Sequence, residues 1–313
     1  MTGSSPLPPS SSSDLWRPNR GLSVWSERLI KYIFGLFAFV SVATTFGIVY
    51  TLIFETVEFF HEIPLYRYFT ETEWTPLFTN AKFGVWVLIT ATFMTSFFAL
   101  LVALPIGLLA AVCLSEYASP QLRKWLKPAL EILAGVPTVV YGYFALFFVT
   151  PILKVFIPGL QTFNSLSAGM VMGIAILPLV ASLSEDAIYA VPQSLRQGSY
   201  ALGTTKRETI VGVVLPAALS GIVASFVLAV SRAVGETMIV AIAAGQNPIL
   251  TFDPRVPVLT MTSFIVQVSL GDTPTTSLAF KTLFAVGMTL FLITFVLNVF
   301  SFWFVRRFQE KYE

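Results

Sequence analysis

The sequence predicts an all-α integral membrane protein with six transmembrane helices and both termini in the cytoplasm. Three observations carry that expectation. Only 12% of the 313 residues are charged, about half the roughly 25% usual for soluble domains. The apolar share is 55%, with 29 phenylalanines, and the mean hydropathy is +0.78. Several uncharged runs are long enough to cross a bilayer, which takes roughly 20 helical residues.

The runs set the elements in order. There are 23 uncharged residues between Lys31 and Glu55, 33 between Lys82 and Glu116, and 22 between Glu131 and Lys154. Thirty lie between Lys154 and Glu185, and 24 between Lys281 and Arg306. From Thr209 to Phe252 only Arg232 and Glu236 interrupt the apolar pattern. Spans are therefore expected with centres near residues 42, 98, 142, 176, 230 and 293. They must be helices: a backbone inside lipid has to satisfy its own hydrogen bonds, and none of the runs alternates with period two.

Lys and Arg in the connections set the orientation. Thirteen lie on one side, among them Arg28, Lys31, Arg123, Lys127, Lys206 and Arg307. Five lie on the other: Arg67, Lys82, Lys154, Arg255 and Lys281. The richer side, with both termini, is expected to be cytoplasmic.

Residues 1–24 form a tail in which Ser and Pro dominate the first twenty positions, a composition that buries almost nothing and is expected to be disordered. It does not read as a signal peptide, because the first apolar run starts late and is long enough to span. Trp16 and Trp25 are expected to mark the cytoplasmic interface. Residues 25–83 supply the first span and an acidic, aromatic external loop. Residues 84–308 supply a core of five helices that includes a cytoplasmic loop at 184–216, and 309–313 form a short cytoplasmic end.

The composition also excludes functions. A net charge of +2 gives no basis for nucleic-acid binding. One cysteine, Cys113, allows no intrachain disulfide. The single histidine, His61, rules out a two-histidine zinc motif and reads as a surface residue. No Gly-Lys dipeptide occurs, so there is no phosphate-cradling nucleotide loop. The chain is expected to be no enzyme, with no catalytic residue, metal or cofactor of its own.

The loop 184–216 is the most informative polar stretch. Pro192 suits a helix start, and Gly203 suits the left-handed position just past a helix end. Thr205-Lys206-Arg207-Glu208 fits a capping box that opens a second helix before Ile210. The short helix between them would expose Leu195, Tyr200, Ala201 and Leu202, either as a docking face or packed on its own transmembrane ends.

In the fifth span, Arg232 and Glu236 stand four residues apart, on one face of a continuous helix. Charge inside a membrane is costly. The pair either locks helix packing as a buried bridge or lines a translocation path. Gly169 and Gly173 are expected to let the fourth span pack closely on a neighbour. Pro105, Pro137, Pro151 and Pro178 are expected to kink or end helices.

The loop resembles the cytoplasmic motif of ABC importer permeases, whose form is Glu-Ala-Ala, three residues, Gly, nine residues, Ile-x-Leu-Pro. Here Gln197-Gly198-Ser199, then Gly203, then Leu215-Pro216 keep the spacing, with Gln-Gly-Ser replacing the first triplet. The segment Ser231-Arg232-Ala233-Val234-Gly235-Glu236-Thr237-Met238 resembles that of phosphate-specific members, the C-type subunit more than the A-type. The resemblance implies a type I ABC importer permease fold in a bacterial inner membrane. It implies that Gln197, Gly198, Ser199, Ala201, Leu202, Gly203 and Thr204 dock on an ATPase, and that Arg232 and Glu236 lie on the substrate path. The implied partners are a homologous A-type permease, two ATPase subunits holding ATP and Mg, and an external phosphate-binding protein. Sulfate or molybdate transport, signalling of phosphate status through protein contacts, and an ion channel stand as alternatives.

Overall fold

The computed structural model describes residues 20–275 and 277–308, with side chains described from 25 to 303 apart from 276. Residues 1–19 of the Ser/Pro-rich tail, with Trp16, and residues 309–313 lie outside the described residues; residues 20–24, expected in the disordered tail, are instead the first turn of a helix. The chain divides into two units, residues 1–54 and 55–313. In the first, the long apolar helix α1 (Arg20–Glu62) presents Phe34, Phe37, Phe39 and Phe46 as exposed side chains, and Trp25 near its start is exposed as well. A helix apolar all round suits a lipid surrounding.

The second unit begins within the last two turns of α1. Residues 55–83, grouped in the sequence with the first span, pack here with residues further along the chain. After the short α2 (Leu65–Thr70), an isolated antiparallel bridge joins Trp74 to Phe83. Phe59, Tyr68, Trp74, Phe83 and Phe264 form one buried aromatic cluster with edge-to-face contacts, such as Trp74 on Phe264 at 5.0 Å between centroids. The Tyr68 hydroxyl lies 2.9 Å from Thr289 Oγ1 and donates to Ala285 O at 3.3 Å, tying this cap to the start of the last helix.

The central pair of helices is α3 (Trp86–Val112), with a π-helical turn at Cys113–Tyr117, and α7 (Ser165–Tyr189). Glycine lets them approach. A Cβ on Gly173 would stand 2.5 Å from Ala99 O, and one on Gly169 2.7 Å from Phe98 Cβ. The small-residue spacing read from the sequence is therefore a packing device, as expected. Ala91, Ala99, Ala103, Met172, Ile176 and Val180 fill the contact. Asn164 opens α7 by accepting from Ser167 N at 2.7 Å, a cap of the kind that contributes about 1 kcal/mol.

Between these two run α4 (Pro120–Gly135), α5 (Thr138–Phe144), a π-helical turn and α6 (Thr150–Phe156). Of the four prolines expected to kink or end helices, Pro137 stands at a helix break, and the other three lie within continuous helical stretches. Pro105 and Pro178 lie inside α3 and α7, Pro137 precedes α5, and Pro151 sits in the first turn of α6.

After α7 come α8 (Gln193–Ala201), α9 (Lys206–Thr209), a π-helical turn at Ile210–Val214, α10 (Leu215–Ala217) and α11 (Leu219–Val234). The run Lys206–Ala217 meets α11 at a 68° bend. Pro216 lies beside that bend, where its missing N–H and ring disfavour a straight helix. The chain ends through α12 (Met238–Ala243), α13 (Met261–Leu270) and α14 (Leu278–Phe308). Five helical stretches among the described residues are long and apolar enough to span, and the bent pair makes a sixth. Every expected span centre falls inside one of these stretches.

Candidate functional site

The loop after α7 folds as its local sequence dictates. Gly203 has φ +82°, the left-handed region that glycine enters without steric cost, and its N–H donates to Tyr200 O at 2.9 Å. Thr205 and Glu208 close a complete capping box: Thr205 N–H donates to Glu208 Oε2 at 2.8 Å, and Glu208 N–H to Thr205 Oγ1 at 3.4 Å.

The two faces of α8 differ. Gln197, Gly198, Tyr200 and Ala201 are exposed, and Leu202 just past its end is 85% exposed. The inner face is pinned. Ser199 Oγ lies 2.7 Å from Thr204 Oγ1 and 3.0 Å from Thr209 Oγ1, so three hydroxyls bridge the turn. Arg196, buried, donates to Val191 O and to Ile188 O at the end of α7. It also pairs with Glu116 Oε1 at 2.9 Å, in the π-helical turn that follows α3. Lys206 donates to Glu116 O and lies 4.7 Å over the Tyr117 ring. The short helix thus rests on its own transmembrane ends and presents an apolar outer edge. The packing of the loop on its own transmembrane ends is thus observed, and the outer edge stays exposed.

The charged pair of the fifth span is arranged differently from the sequence expectation. α11 ends at Val234, Gly235 caps it, and Glu236 lies in the break before α12. Arg232 and Glu236 therefore do not share one helical face, and among the described residues no ion pair joins them. Two contacts hold the break open. Thr262 Oγ1 donates to Glu236 O at 2.7 Å, and the Glu236 carboxylate accepts from Ile239 N at 3.5 Å in the first turn of α12. Glycine, weak in helix interiors, makes the interruption cheap.

Arg232 is exposed and faces a cavity of about 240 Å³. Two helical faces build its walls. Lys127, Leu130, Glu131 and Ala134 come from α4, and Ala175, Pro178, Leu179, Ser182 and Glu185 from α7. Spacings of three and four put each set on one side of its helix. Alanine at 134 and 175 and serine at 182 leave the room between them. At roughly 30 Å³ of liquid per water, the space suits a small ion with part of its hydration shell. A second cavity of about 570 Å³, lined by Ser115, Arg123 and Lys124, shares Lys127 and Glu131 with the first. Glu236 is not among the residues lining either cavity.

Sequence reading missed the acidic partners here. Glu185, 1% exposed, pairs with Arg123, and its Oε2 lies 3.4 Å from Lys127 Nζ. Its one sequence signal is its place at the very end of a 30-residue uncharged run.

Comparison with known proteins agrees with this architecture. Residues 103–313 match the family model described as binding-protein-dependent transport system inner membrane component. The Bacillus subtilis protein named "Probable ABC transporter permease protein YqgH" is 35% identical over 74% of this chain and 74% of its own length. The phosphate transport system permease protein PstC of Xylella fastidiosa (Temecula1) is 31% identical over 78% of this chain and 80% of its own. That of Haemophilus influenzae is 29% identical over 91% and 95%. Among solved structures, an inward-facing MetNI methionine ABC transporter chain aligns with TM-score 0.53 at 21% identity, over 72% of this chain and 95% of that one. A chain of a bacterial ABC transporter involved in import of the polysaccharide alginate aligns with TM-score 0.64 at 12% identity, over 92% and 100%. At such identities these two share the fold. With the six-stretch helical architecture and the pinned short helix between α7 and α11, the family match leads to one assignment: the chain belongs to the binding-protein-dependent transport system inner membrane components, the permeases of ABC importers.

Proposed function

We propose that this chain forms half of the transmembrane path for inorganic phosphate in an ATP-driven importer. The observation that carries the reading is the Arg232 guanidinium, without a hydrogen bond or ion pair among the described residues, beside a cavity sized for a small hydrated ion. A planar fork of donors matches the oxygens of a tetrahedral oxyanion. The likeness to phosphate permeases supports phosphate over other anions.

Permeases of this family work with ATPase and substrate-binding partners. The finer assembly belongs to the proposal: a heterodimer with a homologous A-type permease, two ATPase subunits holding ATP and Mg, and an external phosphate-binding protein. The exposed edge of α8, with Tyr200, Ala201 and Leu202, is the part of this chain that an ATPase groove would grip. When the ATPases close on nucleotide, α8 moves with them. Its anchors at Arg196 and the Ser199–Thr204–Thr209 hydroxyls would pass that motion to α3, α7 and the bend before α11.

Within the membrane, Arg232 receives the anion. Two carboxylates share its cavity, Glu131 and Glu185, and Glu236 does not line it; Glu185 is already paired with Arg123 and Lys127, which leaves Glu131. Glu131 would accept a hydrogen bond from a protonated phosphate oxygen, which sulfate at neutral pH does not offer.

The deciding experiment reconstitutes the complex in liposomes with ATP and purified binding proteins. Uptake of radiolabelled phosphate, and ATP hydrolysis stimulated by the phosphate-loaded binding protein, are expected. Stimulation by sulfate or molybdate instead would reassign the substrate, and passive flux without ATP would point to a channel. Sidedness has its own check: a cysteine at exposed Thr72 should react with an impermeant thiol reagent from outside, and one at Thr205 only in opened cells.

A further inference from the structure

No side chain of α4 is fully buried; besides the apolar contact of Leu133 with the core, ion pairs join this helix to α7. Arg123 pairs with Glu185, and Lys127 Nζ lies 3.4 Å from the other Glu185 oxygen and 3.7 Å from Asp186 Oδ1. The Arg123 guanidinium also stands 5.0 Å from the centre of the Tyr189 ring. The carboxylate is dry, at 1% exposure, while its two cations are each about a third exposed. Those cations occupy a particular place. Lys127 lines the Arg232 cavity and the larger cavity beside it, and Arg123 lines the larger one. Arg232, Lys127 and Arg123 thus follow one another from the interior to the end of the bundle that carries α4.

A carboxylate and a tetrahedral oxyanion offer cations the same thing, negatively charged oxygens that accept short hydrogen bonds. We propose that Arg123 and Lys127 form a second oxyanion subsite beyond Arg232, and that Glu185 fills it while the anion is absent. This rests on the reading of the Arg232 cavity as an oxyanion path. Lys127 is the first base to be shared, because it already lines the inner cavity and its contact with Glu185 is the longer one. Arg123 meanwhile keeps the buried carboxylate neutralised. A competitor fixed beside the subsite has a high effective concentration, so it weakens anion binding and speeds departure.

The test is equilibrium binding of radiolabelled phosphate to the purified complete transporter in detergent, with neither nucleotide nor binding protein present. Glu185→Gln is expected to bind phosphate roughly tenfold more tightly or better, since a charged competitor becomes a neutral one. Adding Lys127→Gln should abolish that gain, and Lys127→Arg should retain it. An affinity for Glu185→Gln that is unchanged or weaker, in a complex of wild-type size, would overturn the subsite and leave the ion pairs as a helix latch. Should Glu185→Gln fail to assemble, Lys127→Gln alone decides, because it preserves the Arg123–Glu185 pair. About tenfold weaker binding supports the subsite, and unchanged binding overturns it. Failure of the underlying reading looks different: the wild-type complex would take up no phosphate into vesicles, and the subsite would fall with it.

Discussion

Arg196 and Glu116 meet at 2.9 Å, both nearly out of water, and they join α8 to the turn that ends α3. The contact spans 80 residues of sequence. Arg196 also donates to Ile188 O in the last turn of α7 and to Val191 O just past it, so one guanidinium holds three elements together at the root of the short helix. Such a side chain does two things: it neutralises a buried carboxylate, and it fixes the angle at which α8 leaves the bundle.

Glu116→Gln should therefore loosen α8 without removing it. Breaking a buried pair from one side costs about 3–5 kcal/mol, and the two backbone carbonyls that still accept from Arg196 put this case at the low end. The expected result is a lower melting temperature of the purified complex together with weaker retention of the ATPase subunit on a permease affinity column. Wild-type values of both would show that the pair anchors nothing.

Gly203 gives a cleaner test, because the space around it is empty. A Cβ built there has no heavy atom within 4 Å, so any penalty comes from the backbone conformation at φ +82°. Gly203→Val should cost about 1–2 kcal/mol or more locally and shift the docking edge. Gly203→Asn, a residue that visits the left-handed region, should be nearly silent. ATPase binding in detergent and phosphate uptake should fall for valine and hold for asparagine. Equal behaviour of the two would mean that the turn geometry is not what couples.

At Gly173 the reverse holds, since its backbone is ordinary and its space is full. Even Gly173→Ala places a methyl 2.5 Å from Ala99 O and 2.8 Å from Val102 Cβ, so α7 must move away from α3. Overpacking of this kind costs roughly 1–3 kcal/mol. A drop in thermal stability is expected, largest for Gly173→Leu, measured on the complex in detergent.

These cases show which parts of the molecule the sequence makes legible. The spans announce themselves by missing charge, because lipid penalises charge wherever it falls. The α8–α9 loop is legible because its geometry is local: Gly203, Thr205 and Glu208 act on neighbours within a few residues. The partners of Arg123 and Arg196 are not legible, since 62 and 80 residues separate them from Glu185 and Glu116. The helix α4 hides for another reason. Its four charged residues among 16 read as a loop when only missing charge is being counted. The break at Gly235 escapes because one glycine costs a helix about 1 kcal/mol, too little to decide. A hydrogen bond from Thr262, 26 residues away, helps decide it.

The break also changes what the charged residues should do when replaced. A dry bridge between Arg232 and Glu236 would make each single change destabilising and the double change restorative. With α11 ended at Val234 and Glu236 turned to the start of α12, removing one charge strands no partner. Arg232→Gln should leave assembly and melting temperature close to wild type, while phosphate uptake is lost. Glu236→Gln should act through α12, where a carboxylate near a helix N-terminus contributes about 0.3–1 kcal/mol, and so lower stability slightly. The double variant Arg232→Gln with Glu236→Gln should assemble and remain inactive. Uptake restored in that double variant, measured in the same liposomes as the wild type, would return the two residues to a structural bridge and remove Arg232 from the path.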